Sequence, residues 1–476
     1  MKNTKLINLL NTFSTAEIKK FRDFTASPYF NKNKNVISLC DEVIKFYPGF
    51  LSDKLNEEYL YSRIFGNEKY DYFRLKNIIS DLYNLGLEFL KQQSNVYTSF
   101  SPDFNMITQL RSRKLWKYHT KFVESYIEKF RKTEIKDGFY LYNEYLLTTE
   151  KQLSNVLKKP TSIEIIQEEF NSFHDFTLLN ILKFYALMLH ISKENRAGIV
   201  LKMFDEVYSY INNEKEFLNP TISIYKYIIL LSVTRDTNYY RILKKQYFEK
   251  FRSLNFEDAY YAHMYIFGYC MDKFNIEADR NFINECYDLF KHAYENNMVS
   301  LGVLLYPDFI NYVKVFMRNG DKKLSHEFMK RYKHNLPDEQ AENCINFCNA
   351  LILHREGDFK KSLALLLKVN FPLVILKVQV KILQLQLNYE LGYYEETREQ
   401  AEYFRKSLAN EKGLSDDYKS SILGFVQQVL KLIGLKEISD KTFQKEALSE
   451  FKRIIDKDQK NHFGIKFWLE DRLKEF

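Results

Sequence analysis

The chain predicts an all-α protein built as an array of antiparallel helix pairs. Three observations carry this expectation. Glycine and proline are scarce, 14 and 8 in 476 residues, whereas an all-β or α/β chain of that length needs many more turn formers, about 7% and 5% being usual. Apolar residues make up 45% of the chain and aromatics 16%, which excludes a mainly disordered chain and supplies large side chains for seams between helices. Turns that begin with glycine recur at Gly320, Gly357 and Gly392, at intervals of 37 and 35 residues, the period of a helical repeat. The expected layout is an N-terminal helical module over 1–95, divergent helical hairpins over 106–305, sharper repeats over 306–410 and capping helices over 411–476.

The N-terminal module opens with Ser14-Thr15-Ala16-Glu17, a capping box in which the serine hydroxyl and the glutamate carboxylate satisfy N–H groups at a helix start. Ser27-Pro28 stops that helix, because the residue before proline is pushed out of the α region. Val36, Leu39, Cys40 and Val43 repeat at helical spacing, and Pro48-Gly49 ends their helix. Two more helices are expected near 56–65 and 70–91, the second carrying Phe73, Ile78, Leu82, Leu85 and Phe89 on overlapping turns. This block, through its Ser27-Pro28-Tyr29-Phe30-Asn31-Lys32 run, resembles the N-terminal module of a group of uncharacterised bacterial helical-repeat proteins. That likeness implies kinship and no chemistry.

Residues 96–105 read as a linker. One long amphipathic helix should follow, with Leu115, Tyr118, Phe122, Tyr126 and Phe130 on its packing face and Arg113, Lys117 and Lys121 beside it. Further on, Lys159-Pro160, Asn219-Pro220 and Tyr306-Pro307 sit where proline loses no needed hydrogen bond, at helix starts. The stretches 193–195, 234–238 and 317–321 read as turns between paired helices. Val378-Gln379-Val380-Lys381-Ile382 alternates like a strand, but Leu376, Val380, Leu383, Leu387 and Leu391 keep helical spacing over four turns, so the segment is read as helix. Near the end, Phe463, Phe467 and Trp468 are expected to cover the open end of the array, which otherwise exposes an apolar face.

From Tyr306 to Leu408 the units resemble tetratricopeptide repeats. Ala350 stands at that family's small packing position, Gly357 in its turn, Leu366 at the large apolar position of its second helix, and Pro337 and Pro372 at unit ends. Ser362, Thr397 and Leu385 depart from it, standing where the family has small residues. The resemblance implies a right-handed α-solenoid whose concave face is lined by the first helix of each pair. On that face Ile310, Lys314, Met317, Arg318, Phe347, Leu351, His354, Arg355, Gln386 and Tyr389 would lie. Lys314, Arg318, His354, Arg355, Gln386 and Tyr389 are the candidate partner-binding residues, a basic and aromatic mixture suited to an extended or acidic peptide.

Net charge is +8, placed unevenly. Arg111 to Lys136 alone holds nine basic and three acidic residues. Arg111, Arg113, Lys114, Lys117 and Lys121 are therefore candidate anion-binding residues, since basic groups neutralise phosphates and neighbouring aromatics can stack on bases. The plainer reading of that run is the lysine-rich solvent face of an amphipathic helix.

Signatures of catalysis are missing. No phosphate-binding Gly-rich loop, dinucleotide turn, nucleophile elbow or EF-hand loop occurs. His326-Glu327-Phe328-Met329-Lys330 ends in lysine where a zinc-protease helix needs its second histidine. Cys344 and Cys348 share one helical face near His334 and His354, but serve equally well as small buried residues. The five cysteines are odd in number and irregularly spaced, which argues for a reducing cytoplasm rather than a disulfide framework. No signal-peptide pattern and no membrane-length apolar run is found. The expected function is a cytoplasmic, non-catalytic scaffold or adaptor, without cofactor or metal, that binds a peptide or protein. The alternative is a nucleic-acid-associated adaptor using residues 111–136.

Overall fold

A computed structural model describes residues 4–66, 68–93, 102–156, 163–195, 200–409, 411, 413–457 and 460–476. Among these residues the secondary structure is helical throughout, with no strand. The α-helices are α1 (Lys5–Leu10), α2 (Thr15–Ala26), α3 (Lys34–Val43), α4 (Glu57–Phe65), α5 (Tyr72–Gln93), α6 (Pro102–Ser112), α7 (Trp116–Phe130), α8 (Gly138–Val156), α9 (Ile163–Asn195), α10 (Phe204–Asn213), α11 (Pro220–Thr234) and α12 (Thr237–Lys250). They continue with α13 (Phe256–Asn275), α14 (Phe282–Glu295), α15 (Tyr306–Asn319), α16 (Lys322–Tyr332), α17 (Asp338–Arg355), α18 (Phe359–Leu366), α19 (Val374–Glu390), α20 (Tyr394–Ala409), α21 (Asp416–Glu437), α22 (Lys441–Lys457) and α23 (Ile465–Arg472). The chain divides into two compact units, one of residues 1–132 and 143–170, the other of 133–142 and 171–476.

In the first unit the capping box forms as read. Ser14 Oγ accepts from the Glu17 amide and the Glu17 carboxylate accepts from the Ser14 amide at 2.7 Å. Leu10, Phe21, Val36, Leu39, Leu82 and Phe89 close a core among α1, α2, α3 and α5. Phe73 is not part of it: this ring is 72% exposed, and Leu75 is buried in its stead.

The expected linker and the long helix behind it both need correction. Residues 94–101 lie outside the described residues, but α6 already begins at Pro102, and α6 and α7 are separate helices. The break is a left-handed cap. Lys114 has φ +60°, the Leu115 amide donates to the Leu110 carbonyl and the Lys114 amide to that of Arg111, the paired bonds that close a helix C-terminus. No glycine or proline marks the spot, so the apolar period appeared to run straight through. The break also shifts the packing phase by one residue. His119 and Val123 are buried, while Tyr118 and Phe122 are 59% and 41% exposed. His119 is held on both ring nitrogens, by Glu150 at 2.9 Å and Ser154 at 2.9 Å.

In the second unit neighbouring helices pack as pairs: α11 with α12, α13 with α14, α15 with α16, α17 with α18, α19 with α20. First helices also pack on first helices, α15 on α17, α17 on α19 and α19 on α21. The Gly-Asp turns explain themselves chemically. Gly320 and Gly357 end helices at φ +93° and +81°, a conformation closed to residues with a Cβ except under strain. Asp321 and Asp358 then cap the next helix, accepting from the Leu324 and Lys361 amides at 2.9 and 3.3 Å. Pro220 and Pro307 stand in first helical turns. Residues 374–390 are helical, as the leucine spacing required. The expected turn at 193–195 is instead the last part of α9, and Lys159-Pro160 lies outside the described residues.

Two buried hydroxyls sit at the seams of these helix pairs. Ser362 is fully buried and donates to the Ala350 carbonyl at 2.6 Å across the α17–α18 pair. Thr397 is fully buried and donates to the Tyr393 carbonyl at 2.6 Å. Each hydroxyl reaches a carbonyl, which removes the cost of burying it.

Candidate binding cavity

The first-helix layer of the second unit presents one face to a cavity of about 630 Å³. Helical periodicity places its wall. Lys314 and Arg318 are one turn apart on α15. Phe347, Leu351, His354 and Arg355 follow the same face of α17. Gln379, Ile382, Leu383, Gln386 and Glu390 follow that of α19. Five of the six candidate residues read from the sequence therefore meet here: Lys314, Arg318, His354, Arg355 and Gln386. Tyr389 does not reach the cavity. It lies buried, with its ring 5.4 Å from that of Trp468. Ile310 is fully buried in the core.

The rest of the wall comes from the C-terminal strap, residues 460–476, whose apolar side chains also pack with α21 and α22. Phe463, Phe467 and Trp468 all line the cavity. Asn461 is fully buried and donates through its side chain to the Phe274 carbonyl at 3.3 Å, anchoring the strap to the end of α13. Arg318 donates to the Phe463 carbonyl at 3.0 Å. Glu390 accepts from Trp468 Nε1 at 3.0 Å and from Arg472 at 2.6 Å. Arg280 pairs with Glu470 at 2.7 Å and covers the Phe467 ring at 4.0 Å. On α23, Trp468 packs edge-on against Tyr389 of α19 and Phe425 of α21 within one core.

Charge in the cavity is lopsided. Arg280, Lys314, Arg318, Arg355 and Arg472 line it against two acids, Glu390 and Asp471. Burial, with Arg318 beside it, pushes the half-buried Lys314 ammonium down to about 7. Burial, with Arg355 nearby, brings Arg318 down to about 10. Burial and the cations Arg472 and Arg355 hold His354 at about 4, so its imidazole is neutral at pH 7, and its buried Nε2 has no hydrogen-bond partner among the described residues. Burial raises the Glu390 carboxyl above the ordinary range despite the opposing pull of Arg472.

The second group of candidates belongs to the first unit and is not a single cluster. Arg111 is committed to Glu150 at 3.0 Å, and Arg113 folds back on Gln109. Lys114, Lys117 and Lys121 are exposed. Cys344 and Cys348 are fully buried, and with His334 and His354 they do not form a group of three or more metal ligands; no such group occurs among the described residues. No helix among those residues is long and apolar enough to cross a membrane.

Sequence reasoning missed Arg280, Gln379, Glu390 and Arg472. Glu390 had a signal, one turn beyond Gln386 on the same face. The others depend on where the strap docks. No protein-family model, no curated protein and no solved structure matches the chain.

Proposed function

We propose that this protein is a non-catalytic interaction module of the tetratricopeptide-like, right-handed α-solenoid class, which takes a peptide or protein segment into the cavity between its first-helix face and its C-terminal strap. The observation that carries the reading is the wall itself: five cations and a set of aromatic rings converge on one cavity against two acids. An extended segment bearing acidic and apolar side chains complements such a wall in charge and in shape. A non-catalytic role is favoured because, among the described residues, no serine, threonine, cysteine or tyrosine lines the wall, so no hydroxyl or thiol nucleophile faces the cavity itself. Five unpaired, buried thiols favour a reducing compartment such as the cytoplasm.

Panning a displayed random-peptide library on the full chain tests this. Enriched peptides should be acidic, and should lose binding to Leu351→Arg, which fills the cavity. Failure to enrich any sequence, or equal binding to that variant, would reject the proposal.

A second reading has one observation in its favour. Tyr118 and Phe122 are exposed on α7 beside Lys117 and Lys121, an arrangement able to stack bases and neutralise phosphates. A gel shift with single-stranded probe at low salt, abolished by Tyr118→Ala with Lys121→Ala, would support it. Absence of a shift at tens of micromolar protein would remove it.

A further inference from the structure

The cavity's cations outnumber what the chain offers them. Lys314 reaches the Gln379 amide oxygen and lies 5.4 Å from the centre of the Phe347 ring. Arg318 donates to the Phe463 carbonyl and covers Phe274 at 4.9 Å. Arg355 donates to the Arg318 carbonyl at 3.3 Å. Among the described residues none of the three has a carboxylate within ion-pair distance, although such pairs are formed by many other cations of the chain. The two acids of the wall are engaged elsewhere, Glu390 by Trp468 and Arg472, Asp471 by Lys474 at 2.6 Å. Lys314 and Arg318 are partly removed from water while Arg355 stands exposed at the edge, so the two inner cations repel each other and lack solvation. An anion from outside relieves both costs.

We propose that Lys314, Arg318 and Arg355 form a phosphate-binding site, and that the ligand of this cavity is a phosphate monoester with an aromatic or apolar body. The proposal deepens the groove reading above and rests on it. Arg318, Arg355 and a Lys314 that regains its proton on binding together match more than one negative charge. A carboxylate supplies one, whereas a phosphate monoester carries about −1.5 to −2 at pH 7 with three acceptor oxygens. Arginine forks match that geometry. Phe463 and Phe467, which line the cavity and are only partly buried, offer rings to the body of the ligand, and the cavity's ~630 Å³ lies within the size range of small-ligand sites. The neutral His354 adds no charge and leaves its Nε2 as one more polar contact.

Protonation supports the same conclusion. The groups facing Lys314 are Arg318 on its own helix, Cys348 and Phe347 on α17, and the neutral Gln379 on α19. Burial, and after it the charge of Arg318, holds the ammonium near 7, and no carboxylate among these groups opposes them. A bound dianion restores the proton. Binding therefore takes up a proton near pH 7 and weakens as pH rises above it.

The chain has two tryptophans, so Trp116→Phe leaves Trp468 as the sole reporter in the cavity. Phenyl phosphate titrated into this full-length chain should change its fluorescence saturably, binding at least about tenfold more tightly than benzenesulfonate, a monoanion of similar body. Calorimetry in buffers of different ionisation heat should show proton uptake. Lys314→Gln and Arg318→Met should each weaken phenyl phosphate about tenfold or more, Arg318→Lys should recover part of the loss, and Lys323→Met, on an exposed lysine, should change nothing. Circular dichroism identifies any variant that fails to fold, and Lys314→Gln then carries the test. A short peptide containing phosphotyrosine, beside its unphosphorylated form, separates the two sources of the group: tighter binding than phenyl phosphate assigns a phosphorylated chain, weaker binding a free phosphoester. No saturable change with either probe, equal affinity for benzenesulfonate, or an unaltered Lys314→Gln would overturn the site. If peptides from the panning still bind and are blind to Arg318→Met, the phosphate site falls and the groove reading stands; if the panning also fails, both fall.

Discussion

Replacing Gly464 with alanine isolates the docking of the strap. Gly464 sits at φ +83°, and an added Cβ would meet the Arg318 guanidinium at 2.7 Å. Two costs follow. An L-residue in left-handed backbone costs about 1–2 kcal/mol. The guanidinium must also retreat from the Phe463 carbonyl it now bonds at 3.0 Å, and a hydrogen bond of that kind is worth about 1 kcal/mol or somewhat more. Together they come to about 2–3 kcal/mol against the docked strap. Since each 1.4 kcal/mol is tenfold, local opening should rise by about thirty- to a hundredfold. Amide hydrogen exchange over 461–473 reads this directly, because a terminal segment opens without the whole fold, and Trp468 emission should shift red. Gly464→Asn, which tolerates left-handed backbone but keeps the clash, should recover roughly half the effect. Exchange unchanged within about twofold in Gly464→Ala would show that the Phe463–Arg318 contact does not hold the strap.

Three further outcomes are expected. Glu150→Ala removes the carboxylate shared by buried His119 and Arg111; after allowance for the 40% exposure of Arg111, the loss is about 2–3 kcal/mol, visible in the urea midpoint. Gly86→Ala places a Cβ 2.7 Å from the end of the half-buried Leu9 side chain, which can swing aside, while alanine gains about 1 kcal/mol of helix propensity over glycine, so the two should offset to within about 1 kcal/mol, read from the same denaturation curve. Burial holds His263 at about 3 and, with nearby cations, His354 at about 4. Both are neutral when folded, while the unfolded chain takes up protons below its ordinary histidine value of about 6.5, so stability is full above that value and is lost as pH falls toward 3–4. His263→Phe, which keeps the ring stack on Phe290, should lower the slope of Tm against pH between 6 and 4.5 by about one proton's worth.

Most helices and several turns were legible from spacing. The capping box at Ser14, the Gly-Asp turns at 320 and 357, and the proline starts at 220 and 307 are local chemistry, and local chemistry repeats wherever the same residues occur. The break at Lys114 was not legible, because its left-handed residue is a lysine and the signal lies in backbone bonds rather than in residue type. The apolar period puts Phe73, Tyr118 and Phe122 on helix stripes, yet all three are exposed. A period tells that a helix has an apolar stripe, but a one-residue change of phase turns the stripe, and only neighbouring helices set that phase.

The candidate cavity was half legible for the same reason. Lys314, Arg318, His354, Arg355 and Gln386 fall on predictable faces of helices whose pairing repeats, so the sequence by itself determined that wall. It also determined the apolar strap residues Phe463, Phe467 and Trp468, though not their destination. The tertiary structure alone decided that the strap lines the cavity, that Glu390 meets Arg472 82 residues away, and that Lys314 and Arg318 have no carboxylate at ion-pair distance among the described residues. Contacts of such separation arise from the free energy of the whole packed unit, in which burying the strap's rings on α19 and α21 and satisfying its polar groups outweighs the entropy of closing the chain. No local pattern encodes that sum.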